Sequence, residues 1–218
     1  MIGIVVALES EAKSFFEIIE NKSPVSISGK KGFIGKVENK DIIILISGIG
    51  KVNAALTTQI IIDKYSPDYI LNFGTAGGMN NTAKIMQYYL IDKCCQYDFD
   101  VSELDGVPVG YIQDYDCVYF NCYIEKNNFL PLGTVASGDR FNNDLKDIKT
   151  INDIPCNLRD MEGGAIGQVC TANNVKLVMI KGVSDVYGSG TAQEQFLKNL
   201  HAVSNGFASV VKKVIISL

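Results

Sequence analysis

Two carboxylates in the last third of the chain have the types and positions to act on one substrate. Glu162 ends the acidic segment Asp160-Met161-Glu162 after one predicted strand, and Asp185 follows a second strand predicted over 175–183. The small-residue helix predicted between them completes a β–α–β unit, which places both side chains just past the carboxyl ends of strands. Open α/β sheets bind ligands at that edge, although an aspartate there is also common as a helix cap or in a surface turn. The other segments of the chain show whether the two carboxylates belong to a ligand site or only to a cap or turn.

The histidine and the cysteines limit the kinds of catalysis that this chain could perform. The single histidine, His201, falls between Leu200 and Val203 in the predicted C-terminal helix. A structural role is therefore favoured for it, and catalysis by a serine or cysteine beside a histidine is excluded. The six cysteines contain no Cys-x-x-Cys pair, which argues against zinc and disulfide frameworks and fits a reducing cytoplasm. We expect no metal site, and in an enzyme of this sequence the proton transfers would fall to carboxylates.

Composition and charge exclude several classes of protein. Of the 218 residues, 47% are hydrophobic and 20% are charged, so the chain can bury a sizeable core and is not disordered. The formal net charge is −4 and no basic block occurs, which makes nucleic acid and anionic membranes poor partners. The apolar start, residues 1–8, meets Glu9 with no basic region before it and is typical of a buried strand rather than a signal peptide. No apolar run reaches membrane-spanning length, and we expect a cytoplasmic protein.

The hydrophobic pattern predicts strands that alternate with helices. Apolar runs predict strands at 2–8, 41–47, 69–73, 85–95, 133–136 and 175–183, and 32–38 forms a hairpin with 41–47. Helical spacing occurs at 12–20, at 51–64 and at 196–218. Residues 21–30 are predicted to be a polar turn, and residues 96–130 show no clear period. These elements, without repeats or linkers, indicate one α/β domain over residues 1–218 around a largely parallel sheet.

Glycine-rich or small-residue turns follow three of the predicted strands. The first, Ser-Gly-Ile-Gly-Lys at 47–51, superficially resembles a phosphate-binding loop. It lacks the spacing of a Walker A motif, and Asn53 stands where a dinucleotide motif would have its third glycine. The segments 74–78 and 137–141 are the other two. Glycines where a strand meets a helix let the backbone approach a ligand closely, so the 47–51 turn is a candidate for a pocket wall.

The order and spacing of these segments resemble a known family. In chain order the motifs are Ala-Leu-Glu-x-Glu at 7–11, Ser-Gly-Ile-Gly-Lys at 47–51, Asn-x-Gly-x-Ala-Gly-Gly at 72–78, Ser-Gly-Asp-x-Phe at 137–141, Asp-Met-Glu-Gly at 160–163 and Ser-Asp at 184–185. Together they resemble the 5′-methylthioadenosine/S-adenosylhomocysteine nucleosidases of the nucleoside phosphorylase superfamily, over nearly the whole chain. The resemblance implies a three-layer αβα sandwich with a central mixed, largely parallel sheet and a homodimer. It also implies hydrolysis of the adenine N-glycosidic bond of a nucleoside by water, without metal or cofactor.

The resemblance further implies a role for each matching residue. Glu11 matches the general base and Asp185 the general acid, while Glu162 matches a residue that contacts the ribose. The remaining matches are Met161 beside the ribose, Phe141 stacking on adenine, the backbone of Asn142 and the side chain of Ser184 at the purine, Thr75 where many members have serine, and Leu8 and Ile49 around the ribose and the 5′ substituent.

The charges that develop in this reaction give these roles a physical reason. Breaking the C1′–N9 bond leaves positive charge on the ribose and negative charge on the base. A protonated Asp185 bonded to purine N7 would neutralise the leaving group, provided that a shielded site raises its pKa. An ionised Glu11 could orient and deprotonate water, and Glu162 could accept from the ribose hydroxyls and stabilise the cationic transition state. The arrangement is similar to that of glycosidases, which place a pair of carboxyl groups on either side of the bond that breaks.

Three alternatives remain open at the level of sequence. A phosphorylase of the same fold would need fixed cations for phosphate, but the two arginines, Arg140 and Arg159, lie far from the early segments that hold phosphate in hexameric phosphorylases. A non-catalytic nucleoside-binding or storage protein would be expected to lose the acid or the base, and here both are present. Hydrolysis of another nucleoside, such as a futalosine-type compound, is a third possibility.

The departures from the family pattern cluster around the 5′ substituent. Lys181 stands where bacterial members usually have arginine. Lysine lacks the planar guanidinium with which arginine donates two parallel hydrogen bonds to one partner. Phe196 could lie near the 5′ group or belong to the core. Candidates for the aromatic residue that closes a partner subunit's pocket are Tyr97, Phe99 and Tyr111. The preference between methylthioadenosine and S-adenosylhomocysteine is therefore left open.

Overall fold

The computed structural model describes residues 1–79, 83–126, 128–141, 153–188 and 190–218. Its strands are β1 (Ile2–Val6), β2 (Glu20–Ile27), β3 (Lys30–Val37), β4 (Lys40–Ile46), β5 (Tyr69–Gly78), β6 (Tyr88–Gln96), β7 (Phe120–Asn121), β8 (Leu132–Ser137), β9 (Leu158–Asp160) and β10 (Lys176–Val186). Its helices are α1 (Glu9–Phe16), α2 (Lys51–Tyr65), α3 (Ser102–Asp105), α4 (Gly163–Ala172) and α5 (Ala192–Ser217), with a 3₁₀ turn at Gln113–Tyr115. Within these ranges no helix has the length and apolar character that crossing a membrane requires.

The strands form one mixed sheet, as the sequence predicted. β1 lies at its centre and pairs in parallel with β4 and β5, and all five of its residues are buried. Continuous apolar strands of this kind are typical of parallel sheets covered on both faces. β10 pairs in parallel with β5 and antiparallel with β6, and β6 connects through β8 and β9 back to β5. Five strands therefore close into a ring at one end of the sheet.

Helices cover both faces of this sheet, which gives the three layers that were expected. Ile4 packs in one cluster with Phe15 of α1 and Phe207 of α5. Its neighbour Val5 belongs to a second cluster that includes Ile61 of α2 and Ile166 of α4. Because successive side chains of a strand point to opposite faces, one strand supplies both cores.

The predicted polar turn at 21–30 is wrong, because most of that segment is strand β2. β2 is the outer strand of the sheet and pairs only with β3 among the described strands, and nearly all of its side chains are exposed or half-buried. An edge strand needs little apolar sequence and tolerates proline, here Pro24. The pattern was therefore polar although the backbone is extended.

Candidate active site

A cavity of about 380 Å³ lies past the carboxyl ends of the central strands. Nine of the ten residues predicted for the site line it, namely Leu8, Glu11, Ile49, Thr75, Phe141, Met161, Glu162, Ser184 and Asp185. The tenth, Asn142, lies outside the described residues. The three carboxylates thus come together from segments that are far apart in the chain. Within the described ranges, no group of three or more His, Cys, Asp or Glu is arranged to hold a metal ion.

Glu11 is held at the cavity by three donors. Helix α1 begins two residues after β1, and its third residue, Glu11, is only 4% exposed. Oε1 accepts from the backbone N–H and the hydroxyl of Thr75, both at 2.7 Å, and Oε2 accepts from the N–H of Leu8 at 3.1 Å. A Cβ on Gly74 would stand 3.2 Å from Oε1, so the glycine leaves room for the carboxylate. Donors fixed in this way set the direction in which the carboxylate can act on a bound molecule.

Glu162 precedes α4 and reaches across the cavity to the 47–51 turn. Its Oε1 accepts from the N–H of Gly50 at 2.9 Å. Gly50 has a φ of 99°, a conformation that favours glycine. Burial raises the pKa of the Glu162 carboxyl to about 7, and the charge of Asp160 adds to the effect, while Lys181 and the Gly50 N–H oppose it. Glu162 is therefore a carboxyl that changes its charge near neutral pH.

Lys181 forms a buried ion pair beneath the cavity. It is 1% exposed, and its Nζ lies 2.7 Å from Oδ2 of Asp160. Asp160 also accepts from the Ser137 hydroxyl and, at 2.9 Å, from the N–H of Gly163. Burial disfavours the ammonium, but Asp160 and then Glu162 outweigh it, so that the pKa of Lys181 is raised. The sequence had flagged Lys181 only as a departure from the family, and a lysine inside the apolar strand 175–183 was the signal of a buried partner.

Replacing Lys181 by methionine is expected to lower the free energy of unfolding by about 3–5 kcal/mol, because removing one member of a buried pair leaves the other charge unpaired. Urea unfolding measures the loss. Lys212→Met is the matched control, since Lys212 pairs with Glu38 at the surface and its removal should leave stability unchanged. Adding Asp160→Asn to Lys181→Met should restore part of the loss. A double variant that loses the sum of both single effects would contradict the coupling.

Asp185 is presented by a bulge in β10. Val183 pairs with Ala76 and Asp185 with Gly77, so Ser184 is an extra residue opposite β5. Bulges re-aim neighbouring side chains and occur often beside active sites. The Ser184 hydroxyl donates to Oδ1 of Asp185 at 2.8 Å, and a Cβ on Gly77 would stand only 2.8 Å from Oδ2. The bulge and the glycine together let the carboxyl face the cavity.

Burial raises the pKa of Asp185 above its usual value, while the Ser184 hydroxyl and the charge of Arg159 oppose the shift. Nη2 of the Arg159 guanidinium lies 3.9 Å from Oδ2 of Asp185, and Arg159 lines the cavity. From the sequence, Arg159 was considered only as a possible phosphate ligand, and its position beside Asp185 was missed. Its place in the strand that ends at Asp160 was the only signal available.

Two phenylalanines form the opposite wall. The rings of Phe141 and Phe196 meet edge to face with centroids 5.3 Å apart, and both line the cavity. The open alternative for Phe196 is therefore decided: this residue of α5 belongs to the site. None of the described lining residues comes from 96–130. Tyr97 packs beneath Gly138, and the Tyr111 hydroxyl donates to Asp116.

Comparison with known proteins agrees with this architecture. The model of a family described as the phosphorylase superfamily matches residues 1–216, so the chain belongs to that superfamily. A 5′-methylthioadenosine/S-adenosylhomocysteine nucleosidase of Buchnera aphidicola is 32% identical over 228 residues, which cover 100% of this chain and 98% of the relative.

Solved structures give the same result. The Colwellia psychrerythraea nucleosidase of that name, in complex with adenine, superposes with a TM-score of 0.91 at 26% identity and covers 100% of this chain and 95% of its own. The Neisseria meningitidis enzyme, in complex with methylthio-immucillin-A, has a TM-score of 0.90 at 26% identity, with 100% and 99% covered. The chain belongs to the family of 5′-methylthioadenosine/S-adenosylhomocysteine nucleosidases, and it is an N-glycosyl hydrolase.

Proposed function

We propose that this enzyme hydrolyses the N-glycosidic bond of 5′-methylthioadenosine, of S-adenosylhomocysteine or of both, releasing adenine and the 5′-thio-ribose. The observation that carries the proposal is the set of three buried carboxylates, Glu11, Glu162 and Asp185, around one cavity. The names of the relatives support the substrate class, as do the adenine and methylthio-immucillin-A bound in the Colwellia and Neisseria structures.

Asp185 acts as the general acid for the leaving purine. Its carboxyl is buried, so its pKa is raised, and it keeps a proton to higher pH than an exposed aspartate. When that proton is donated to N7, the negative charge developing on the base is neutralised. The Ser184 hydroxyl donates to the Asp185 carboxyl, and Phe141 stacks on the purine ring.

Glu11 and Glu162 act on the other side of the bond. Glu11, oriented by Thr75 and by the Leu8 N–H, takes a proton from the attacking water. Glu162 accepts from the ribose hydroxyls and stabilises the cationic sugar in the transition state. The apolar lining at Leu8, Ile49 and Met161 packs against the ribose and the 5′ substituent.

The pKa of Glu162 predicts the acid side of the pH profile. Only the ionised carboxylate has the charge that stabilises the sugar, and its pKa is about 7. We therefore expect kcat/KM to rise with pH through about 7, since kcat/KM reports the free enzyme. Glu162→Gln should lower kcat/KM and remove this rise, whereas Glu9→Gln, at the exposed start of α1, should retain it. A rise of the same shape in Glu162→Gln would assign the titration to another group.

The test of the proposed function is a steady-state assay of adenine release from 5′-methylthioadenosine with and without phosphate. Free methylthioribose formed at the same rate without phosphate supports hydrolysis. Because Arg140 and Arg159 both line the cavity, a sugar 1-phosphate formed only with phosphate would favour a phosphorylase instead. If neither condition gives turnover of either nucleoside, the proposed substrates are wrong, and tight binding without turnover would favour a storage protein.

We also propose that the enzyme is a cytoplasmic homodimer with a single domain per chain. Three apolar side chains are exposed beside one another, Ile49 just before α2 and Val52 and Leu56 within it, with Val52 80% exposed. Ile49 also lines the cavity, so a second copy on this face would cover the cavity mouth. Light scattering in solution should give the mass of a dimer, and a monomer mass would contradict the proposal. The six cysteines all lie among the described residues and form no disulfide, which fits a reducing compartment.

A further inference from the structure

Arg159 is a cavity residue that the proposed mechanism does not use. It directly precedes Asp160 in β9 and is 8% exposed. It lines the cavity beside Gly77 and Asp185. Its Nε lies 3.0 Å from the position of a Cβ on Gly77, and its Nη2 lies 3.9 Å from Oδ2 of Asp185. A guanidinium and a carboxyl are thus presented side by side on one wall.

The edge of a purine that faces this wall has a different pattern in 6-amino and 6-oxo bases. Adenine offers an acceptor at N7 and a donor at its 6-amino group, whereas a 6-oxopurine offers acceptors at both N7 and O6. A carboxyl that donates to N7 with one oxygen can accept from a 6-amino group with the other, but that second oxygen repels O6. Arginine has only donors, so a guanidinium beside Asp185 can donate to O6 while the carboxyl donates to N7. The side-by-side arrangement therefore supplies a partner for either kind of base.

We propose that Arg159 extends the substrate class of this cavity to 6-oxopurine nucleosides by donating a hydrogen bond to O6 of the base. The proposal rests on the proposed function, since it requires a purine nucleoside whose N7 edge faces Asp185. The reaction is unchanged: the C1′–N9 bond breaks, the hydroxyl of water forms the new bond to C1′, and the proton balance is completed by one proton on the released base. Arg159 binds the base in both the ground state and the transition state and moves no proton.

The experiment compares 5′-methylthioadenosine with its 6-oxo analogue, 5′-methylthioinosine, as substrates. In the unchanged enzyme we expect hydrolysis of both. Arg159→Met should lower kcat/KM for the 6-oxo substrate by about 10- to 100-fold, the effect of one hydrogen bond to a charged donor. It should change kcat/KM for the 6-amino substrate only a few-fold, because arginine has no acceptor for the amino group. The ratio of the two constants is the readout, since a general loss of folded or active enzyme cancels in it.

Arg140→Met is the matched control. Arg140 also lines the cavity but is exposed, so its removal tests whether loss of positive charge alone changes the ratio. We expect the ratio to stay as in the unchanged enzyme. If Arg140→Met lowered the ratio as much as Arg159→Met, the hydrogen bond to O6 would be refuted in favour of a general electrostatic effect.

The outcomes separate this proposal from the function on which it rests. Hydrolysis of the 6-amino substrate alone would overturn the role of Arg159 and leave the proposed function standing. Hydrolysis of both, with the ratio unchanged in Arg159→Met, would also overturn it. If neither is hydrolysed, and S-adenosylhomocysteine is not hydrolysed either, the proposed function itself is overturned. Should Arg159→Met fail to fold, Arg159→Leu provides the second variant: it also lacks a donor for O6, and an unchanged ratio in that variant would likewise overturn the role of Arg159.

Discussion

Replacing Asp185 by asparagine is expected to lower kcat for adenine release by about 10²- to 10⁴-fold or more, the contribution of one proton-transfer group. Asparagine keeps the size of the side chain and can still accept from the Ser184 hydroxyl, but it has no acidic proton for N7. The purine would then have to leave as an anion without a proton donor. Steady-state kinetics at saturating 5′-methylthioadenosine measure the loss.

A change of leaving group provides a sharper test of the same role. A riboside that releases nitrophenolate needs no proton to leave, so Asp185→Asn should slow its hydrolysis far less than it slows adenine release. Asp68→Asn is the control, because Asp68 pairs with the amino terminus at the opposite end of the sheet. Near-normal adenine release by Asp185→Asn, or equal losses with both leaving groups, would show that Asp185 is not the acid.

Replacing Glu11 by glutamine should lower kcat by a similar factor, about 10²- to 10⁴-fold. The amide cannot take a proton from water. Its oxygen can replace the carboxylate oxygen that accepts from Thr75, but its NH2 would then face the Leu8 N–H, a donor against a donor. Part of the loss should therefore come from a misplaced side chain.

Two further variants separate these contributions. Thr75→Ala removes the hydroxyl that orients Glu11, together with the γ-methyl group, but keeps the backbone N–H donor, so its loss should be clearly smaller than that of Glu11→Gln. Glu17→Gln removes a carboxylate from the exposed C-terminal end of the same helix and should leave kcat unchanged. If Thr75→Ala were as slow as Glu11→Gln, orientation would account for the whole effect. Near-normal turnover by Glu11→Gln would refute its assignment as the base.

Several features of this protein follow from the sequence by itself. Buried parallel strands carry continuous apolar runs, so β1, β4 and β10 were predicted close to their observed bounds. β5 was predicted to end at Phe73, but it continues to Gly78 through the segment that was interpreted as a turn. The positions of Glu162 and Asp185 after predicted strands pointed to the site, and the family resemblance supplied the other cavity residues. The alternation of the elements predicted a largely parallel sheet between helices, and the family resemblance added that the sheet is mixed. β2 was missed because an edge strand has no buried face to impose a pattern.

The tertiary structure alone decided what each carboxylate meets. The Gly50 N–H that binds Glu162 comes from 112 residues away, and Thr75, which binds Glu11, from 64 residues away. The ion pair of Lys181 with Asp160 and the approach of Arg159 to Asp185 likewise join different strands. Sequence periodicity reports which face of a strand is buried, whereas these contacts depend on strand order, register and the β10 bulge. Strand order and register are set by the packing of the whole sheet, and so the raised pKa values of Glu162 and Asp185 arise only in the folded protein.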